Sequence, residues 1–379
     1  MGVSNDTLAM GDRGSILGRG RPSSAARAVV VDLDVWSSLD ALEGMPELEA
    51  VAIRGRGQVS LKPLARLPKL RELDLEGWQA RGDLSGLVGC ARLSSLSLPD
   101  HRLDLSPLEG LEALRGLSLG EGFEQLARLR LGLESLSVGS VDVAELSFLS
   151  GVGPLKTLRI TKGARLDDLG ALSEVGALEE LEVPEASVRD LAPLAILGRL
   201  RALDLRGNAG LCRLSGLSGL SLLERLDVDR TGVEDLSALS GCVALSELGL
   251  RETRVRGLGE LSGCGGLKRL YLERSALSSL EGVGALGALE ALWLWGTVVR
   301  DLSPLAGMSG LRELNIAGLG RVTGAEALST LSGLEALDVR GTELGGLKLA
   351  RLPRRRRAFG DDTEPRSSHL HFRPPGSPG

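Results

Sequence analysis

The stretch Leu289-Glu-Ala-Leu292-Trp-Leu294-Trp-Gly-Thr297-Val-Val-Arg-Asp-Leu302-Ser-Pro-Leu305-Ala-Gly-Met308 decides the fold, because its pattern recurs along most of the chain. Leu289, Leu292 and Leu294 form L-x-x-L-x-L. The same triad precedes it as Leu267, Leu270, Leu272 and follows it as Leu311, Leu314, Ile316, at a spacing of 22 residues each way. Working outward, units begin at Leu48, Leu70, Leu93, Leu114, Leu133, Leu155, Leu178, Leu200, Leu223, Leu245, Leu267, Leu289, Leu311 and Leu334. These are 14 starts spread over 286 residues, with a mean step of 22. A fixed period in this range marks a solenoid, in which each unit packs only on its neighbours. The step from Leu114 to Leu133 is only 19 residues, and Gly120, Gly122 and Phe123 stand where the connection belongs; a local irregularity is expected there.

The spacing within a unit predicts its structure. L-x-L has period two, so Leu292 and Leu294 share one face of a short strand and Trp293 occupies the other. Every unit runs the same way, so successive strands must be parallel. Ser303-Pro304 reads as a helix start, with the serine as cap and the proline at the first helical position, where no N–H is needed. So few residues allow only one helical or 3-10 turn. Each unit supplies about six aliphatic side chains, worth ~1.5–3 kcal/mol apiece when buried, and stacking is what buries them.

Composition agrees. The chain of 379 residues has 52 Gly and only 9 aromatic residues, so the core must be aliphatic. A net charge of −5 gives no basic excess for nucleic acid. Residues 1–25 lack an apolar core of signal-peptide length, and no stretch is long enough to span a membrane; a cytoplasmic protein is expected. Of the four cysteines, Cys90, Cys242 and Cys264 sit three residues before a unit's first leucine, a position that holds apolar residues elsewhere. Buried free thiols are expected, which suits a reducing compartment.

The expected organisation is a disordered segment 1–25, a solenoid 26–352 and a disordered basic tail 353–379 containing Arg354–Arg357. Within the solenoid, 26–47 is a capping turn built on Val29-Val30-Val31, Leu33, Trp36, Leu39 and Leu42, and 48–352 holds about 14 repeats. A C-terminal cap would have to come from Leu344, Leu347, Leu349 and Leu352, or from a partner. Only three histidines occur, His101, His369 and His371, and no nucleophile, phosphate-cradling or metal-ligating motif is present. No catalytic, cofactor or metal site is expected.

On the leucine triads and on the connection Asp104-Leu-Ser-Pro107-Leu108, repeated as Asp190-Leu-Ala-Pro193-Leu194 and Asp301-Leu-Ser-Pro304-Leu305, the chain resembles the leucine-rich repeat family, specifically the bacterial internalin-like class with 22-residue units. The resemblance spans roughly residues 28–350. It implies an α/β, right-handed solenoid, curved as a horseshoe or arc, with a parallel sheet on the concave face and short helical or 3-10 segments on the convex face. The chain departs from the family after the strand, where asparagine is usual: Asn208 keeps it, but Thr231, Thr253, Ser275, Thr297 and Thr342 replace it. Arg56, Trp78 and His101 stand there in the N-terminal half, so the bonding ladder is expected to be better formed in the C-terminal half. Trp36 and Trp78 are assigned to the cap and a connection. The resemblance also implies two alternatives: a secreted or surface adhesin or effector, and a regulatory subunit of an enzyme such as a phosphatase.

What remains is a surface for another protein. The third, fifth and seventh residues of each unit point away from the core. The seventh positions read Arg206, Asp229, Arg251, Glu273, Trp295, and the third read Arg225, Glu247, Arg269 and Glu313. Their signs alternate, so neighbouring strands can compensate one another. The fifth positions run Asp227, Gly249, Tyr271, Trp293, Asn315. Tyr271 and Trp293 are expected to stack, with Trp295 alongside and Gly249, Ala291 and Ala317 as small surroundings. Aromatic residues and arginine are enriched at binding hot spots. The candidate partner-binding set is therefore Tyr271, Trp293, Trp295, Arg251, Arg269, Glu273, Asp227, Asp229 and Asn315. Two acidic groups, Glu72-Asp74-Glu76 and Glu180-Glu182, read as solvated faces.

Overall fold

The computed structural model describes residues 15–16, 25–79, 82–139, 144–161 and 163–344. The chain forms two compact units, one of residues 1–141 and 147–160, the other of 142–146 and 161–379.

In the first unit the strands are β1 (Ser15–Ile16), β2 (Ala28–Asp32), β3 (Ala50–Arg54), β4 (Glu72–Asp74), β5 (Ser95–Ser97), β6 (Gly116–Leu119), β7 (Ser135–Val138) and β8 (Thr157–Ile160). Each pairs in parallel with the next, and the register keeps leucine beside leucine: Leu73, Leu96, Leu117, Leu136 and Leu158 are successive partners. Ser15–Ile16, which pairs with Val29–Val30 of the capping turn, lies inside the segment 1–25 read from sequence as disordered. Leu33, Leu39 and Leu42 are buried as the capping turn requires, while Trp36 is half-buried. At the short step, Gly122 takes φ +82 and leads into a six-residue 3-10 segment, Phe123–Arg128. Phe123 meets Phe148 edge to face at 5.1 Å. Trp78 is fully buried, and its indole N–H donates to the Gly57 carbonyl at 2.9 Å.

In the second unit the main sheet comprises β9 (Glu180–Glu182), β10 (Ala202–Asp204), β11 (Arg225–Asp227), β12 (Glu247–Gly249), β13 (Arg269–Tyr271), β14 (Ala291–Trp293), β15 (Glu313–Asn315) and, after the small β16 (Gly320–Arg321), β17 (Ala336–Asp338). The short β18 (Thr342–Glu343) pairs with β16. Leu181, Leu203, Leu226, Leu248, Leu270, Leu292, Leu314 and Leu337 align across the parallel ladder. Leucines at the first, fourth and sixth positions face inward; Leu289, Leu292 and Leu294 are at most 1% exposed.

One expectation about the connections is corrected. Ser303 does not cap its turn. Asp301 does: its Oδ1 accepts the Ser303 N–H at 2.9 Å and its Oδ2 accepts the serine hydroxyl at 2.8 Å. Asp104 bonds Ser106 in the same way, and Asp190 and Asp235 take the N–H groups of Ala192 and Ser237. The carboxylate reaches the N–H two residues on, and the proline that follows has none to satisfy. These bonds hold the Asp104, Asp235 and Asp301 carboxyls below the usual aspartate range.

The position after the strand is also more varied than a family ladder. Asn208 spans two turns: its amide donates to Val183 and Leu205 carbonyls at 2.8 and 2.7 Å, and its carbonyl accepts the Val188 N–H. Thr231, Thr253 and Thr297 each donate only to the carbonyl three residues back. One residue earlier the chain must turn with φ > 0. Gly207, Gly296, Gly318 and Gly341 do so freely, but Glu185, Arg230, Glu252 and Arg274 also adopt φ of 54–56°.

Cys90, Cys242 and Cys264 are buried free thiols, and Cys212 is exposed. The Cys242 and Cys264 thiols donate to Leu217 and Leu239 carbonyls. The assignments of the tail 353–379, with Arg354–Arg357, His369 and His371, and of Leu347, Leu349 and Leu352 as a C-terminal cover, lie outside the described residues.

Candidate functional site

All nine sequence-predicted residues lie in the second unit, on the outward face of β11 to β15 and the residues that continue those strands. The structure sorts them into three groups.

The first group is a charged cluster with an aromatic layer on it. Arg251 sits between two acids: its Nη1 donates to Asp229 at 2.9 Å and its Nε to Glu273 at 3.1 Å. The alternating signs of the seventh position thus close into a bridge across three turns. All three groups are largely buried. Burial pushes the Asp229 carboxyl up to about 7, the adjacent Asp227 adds to the rise, and Arg251 opposes it. Burial likewise raises Glu273 against the pull of Arg251. The Arg251 guanidinium also lies 4.3 Å from the Tyr271 ring centre, and Trp293 stacks on Tyr271 at 4.6 Å. Three layers result: guanidinium, phenol and indole. The Tyr271 hydroxyl donates to Glu247 at 3.1 Å.

The second group serves the backbone. Asp227 is 0% exposed and Asn315 2%, so neither offers a surface to a partner. Their side chains accept the N–H of residues Asp229 and Ala317, two positions on. Asp204 and Asp338 do the same for Arg206 and Arg340, and in the first unit Asp74 does so for Glu76. The strand ends at the fifth position, the chain bends, and the N–H of the seventh residue loses its neighbour; a short acceptor replaces it. Reading Asp227 and Asn315 as contact residues missed this role, which a short polar residue repeated at one position could have signalled. Asp204 and Asp227 are register partners on one face, and burial raises both carboxyls. Nor are the two acidic groups simply solvated, since Asp74 and Glu180 are buried and Arg225 reaches across β10 to Glu180 at 3.5 Å.

The third group is open to solvent. Trp295 does not join the Tyr271–Trp293 stack; the Arg274 guanidinium lies 4.4 Å from its ring centre. Trp293 and Trp295 are both half-buried, and neither indole N–H has an acceptor among the described residues. Both rings are covered on the side of β13, by Tyr271 and Arg274. Towards β15, Trp293 is the register partner of Asn315 and the Trp295 ring lies beside Gly318. Arg269 and Glu313 are exposed on either side of the buried Ala291.

Among solved structures, a Leptospira interrogans LRR protein superposes with a TM-score of 0.68 at 16% identity, over 84% of this chain and 92% of that one. An internalin from Listeria monocytogenes gives 0.59 at 21% identity, over 82% and 86%. The LRR ectodomain of a plant membrane receptor kinase from Arabidopsis thaliana, in complex with CASPARIAN STRIP INTEGRITY FACTOR 2, gives 0.57 at 20% identity, over 84% and 42%. The fold is the leucine-rich repeat solenoid, with internalins among the structures it resembles. No protein-family model matches the sequence, and no curated protein does.

Proposed function

We propose that this protein is a non-catalytic recognition module or scaffold that binds another protein on the sheet face around Trp293 and Trp295. The observation that carries this is a broken local rule. In the second unit the fifth position is an acid or amide at Glu182, Asp204, Asp227, Asn315 and Asp338, and four of these, all but Glu182, hold the N–H two residues on. Three consecutive turns abandon it for Gly249, Tyr271 and Trp293. Of these three, Gly249 and Tyr271 are buried and Trp293 meets solvent; a large aromatic group at a position that elsewhere serves the backbone is the pattern of a contact residue. The plant receptor of the same fold, captured with a factor bound, supports a protein ligand.

The test is affinity capture from the native host with the wild-type chain and a Trp293→Ala, Trp295→Ala double variant, compared by mass spectrometry. Specific partners should disappear with the variant; an identical set of partners would remove this face from the reading. We place the protein in the cytoplasm, on the strength of its free thiols. Recovery of the native protein from the culture supernatant would favour the adhesin or effector alternative, and copurification with phosphatase activity the regulatory subunit.

A further inference from the structure

Asp204 and Asp227 are register partners on adjacent parallel strands, so their side chains stand on one face, one strand spacing or about 4.8 Å apart. Both are 0% exposed. In each, Oδ1 accepts the N–H two residues on, from Arg206 and Asp229. The second oxygens are less well served. Asp227 Oδ2 is buried with no hydrogen-bond partner, and Asp204 Oδ2 has only Arg206 Nη2 at 2.9 Å, too poorly aligned for a hydrogen bond. The surrounding charges do not balance. Glu182 from β9, Arg206 after β10, Asp229 after β11, Arg251 after β12 and Glu273 after β13 face this part of the sheet, while Arg225 and Glu180 pair with each other. Setting Glu182 aside, the buried carboxyls of Asp204, Asp227, Asp229 and Glu273 meet the guanidiniums of Arg206 and Arg251, and Arg251 is bonded to Asp229 and Glu273. Arg206 is left for Asp204 and Asp227 together. Two bare carboxylates side by side and out of water are costly, and a proton kept on one of them removes the cost.

We propose that Asp204 and Asp227 hold one proton between their Oδ2 atoms, in a carboxyl–carboxylate hydrogen bond that clasps β10 to β11 and acts as a pH-sensitive switch beneath the aromatic layer. Asp227 carries the proton and Asp204 the charge, because Arg206 stands on Asp204. The Oδ1 bonds survive this: a protonated aspartate still accepts an N–H through its other oxygen, as the neutral Asn315 does from Ala317 at the same position. No group of three or more side chains able to hold a metal ion occurs among the described residues, which favours a proton over a divalent ion between the two oxygens. Burial raises both carboxyls, and they titrate as a pair. The link to the aromatic layer is Tyr271. It packs with Ala202, two residues before Asp204 on the same face, and carries Trp293; Gly249, between Asp227 and Tyr271 in the register, has no side chain to intervene. Loss of the proton leaves two neighbouring negative charges that must draw in water, and the layer loosens to admit it. The stack is therefore closed below neutral pH and loosens above it. The inference is independent of the binding face proposed above.

The test is carbon-13 NMR of the full chain labelled at the aspartate Cγ, titrated with pH beside the near-ultraviolet circular dichroism of the Tyr271–Trp293 stack. The resonances are assigned through their backbone amides, so the wild-type titration decides the proton without any variant. The Cγ signals of Asp204 and Asp227 should shift together in one step between about pH 6 and 8, after the exposed aspartates have finished, and the dichroism should change with the same midpoint. In Asp227→Asn an amide replaces the proton for good: its N–H donates to Asp204, and its carbonyl keeps the Asp229 N–H. That variant should fold, lose the step and hold the low-pH dichroism to about pH 9. If both carboxyls titrate separately below about pH 5, no proton is shared. If calcium, and not acid, moves the two resonances, a cation holds the pair and the proposal is wrong. A joint step with unchanging dichroism overturns the switch.

Discussion

Trp293 lies nearly flat on Tyr271, with ring centres 4.6 Å apart and planes inclined by 15°. The two are register partners in adjacent parallel strands, so the stack follows from the 22-residue repeat placing the same position of successive turns side by side. Its other side is closed by Arg251, which makes Arg251 the keystone of both the charge bridge and the aromatic layer.

Removing that keystone strands two acids. Arg251→Ala is expected to destabilise the second unit by about 3–5 kcal/mol, since Asp229 and Glu273 would remain buried without a counter-charge. Adding Asp229→Asn and Glu273→Gln to the same variant should recover a large part of the loss. Urea denaturation of the single and triple variants checks this; a triple variant no more stable than the single one would contradict it.

Stability should fall as pH rises through neutrality. Asp204, Asp227 and Asp229 have carboxyls raised above the aspartate value of 3.8, Asp229 to about 7. A raised folded-state pKa means that the folded protein binds protons the unfolded chain has released. The resulting stability is fully present below about pH 4 and is lost as pH climbs towards 7. The lowered carboxyls, such as Asp104 and Asp301, act only below the ordinary carboxylate range. The urea midpoint should therefore be higher at pH 5 than at pH 8, by the equivalent of about 1–3 kcal/mol, and Asp229→Asn should flatten the difference. A midpoint that rises with pH over this window would refute the assignment.

The left-handed positions offer a stabilising change. Glu252 holds φ 54° and pairs only loosely with Arg274, at 3.7 Å on the surface. Glu252→Gly should raise stability by about 0.5–1 kcal/mol, since relief of the left-handed conformation exceeds the added freedom of the unfolded chain. The reverse change at Gly207, φ +74°, should cost more than at Gly318, because a Cβ there would come within 2.9 Å of Glu185 against 3.6 Å from Trp295. Melting temperatures of the three variants decide this.

Asn208 should matter more than Thr231, Thr253 or Thr297. Asn208→Ala removes three buried hydrogen bonds joining two turns and is expected to cost about 2–4 kcal/mol. Thr231→Val removes one bond within its own turn and should cost about 1 kcal/mol. Equal losses in thermal denaturation would show that the two-turn bridge adds nothing.

The sequence by itself determined the parallel ladder, its register and its leucine interior, since a strict 22-residue spacing of Leu289, Leu292 and Leu294 admits few other arrangements. It also brought Tyr271 to Trp293, because equal positions in equal units must be neighbours. Which polar side chains face the solvent was settled only by tertiary structure. Asp227 and Asn315 look like exposed strand residues, yet the N–H left open where each strand ends draws them inward. Arg225 finds Glu180 by reaching over a small alanine two turns away, while Arg269 and Glu313, which read as members of the same alternating series, stay unmatched across Ala291. Those outcomes depend on side-chain reach and on the backbone bend at the strand end, neither of which the repeat period encodes.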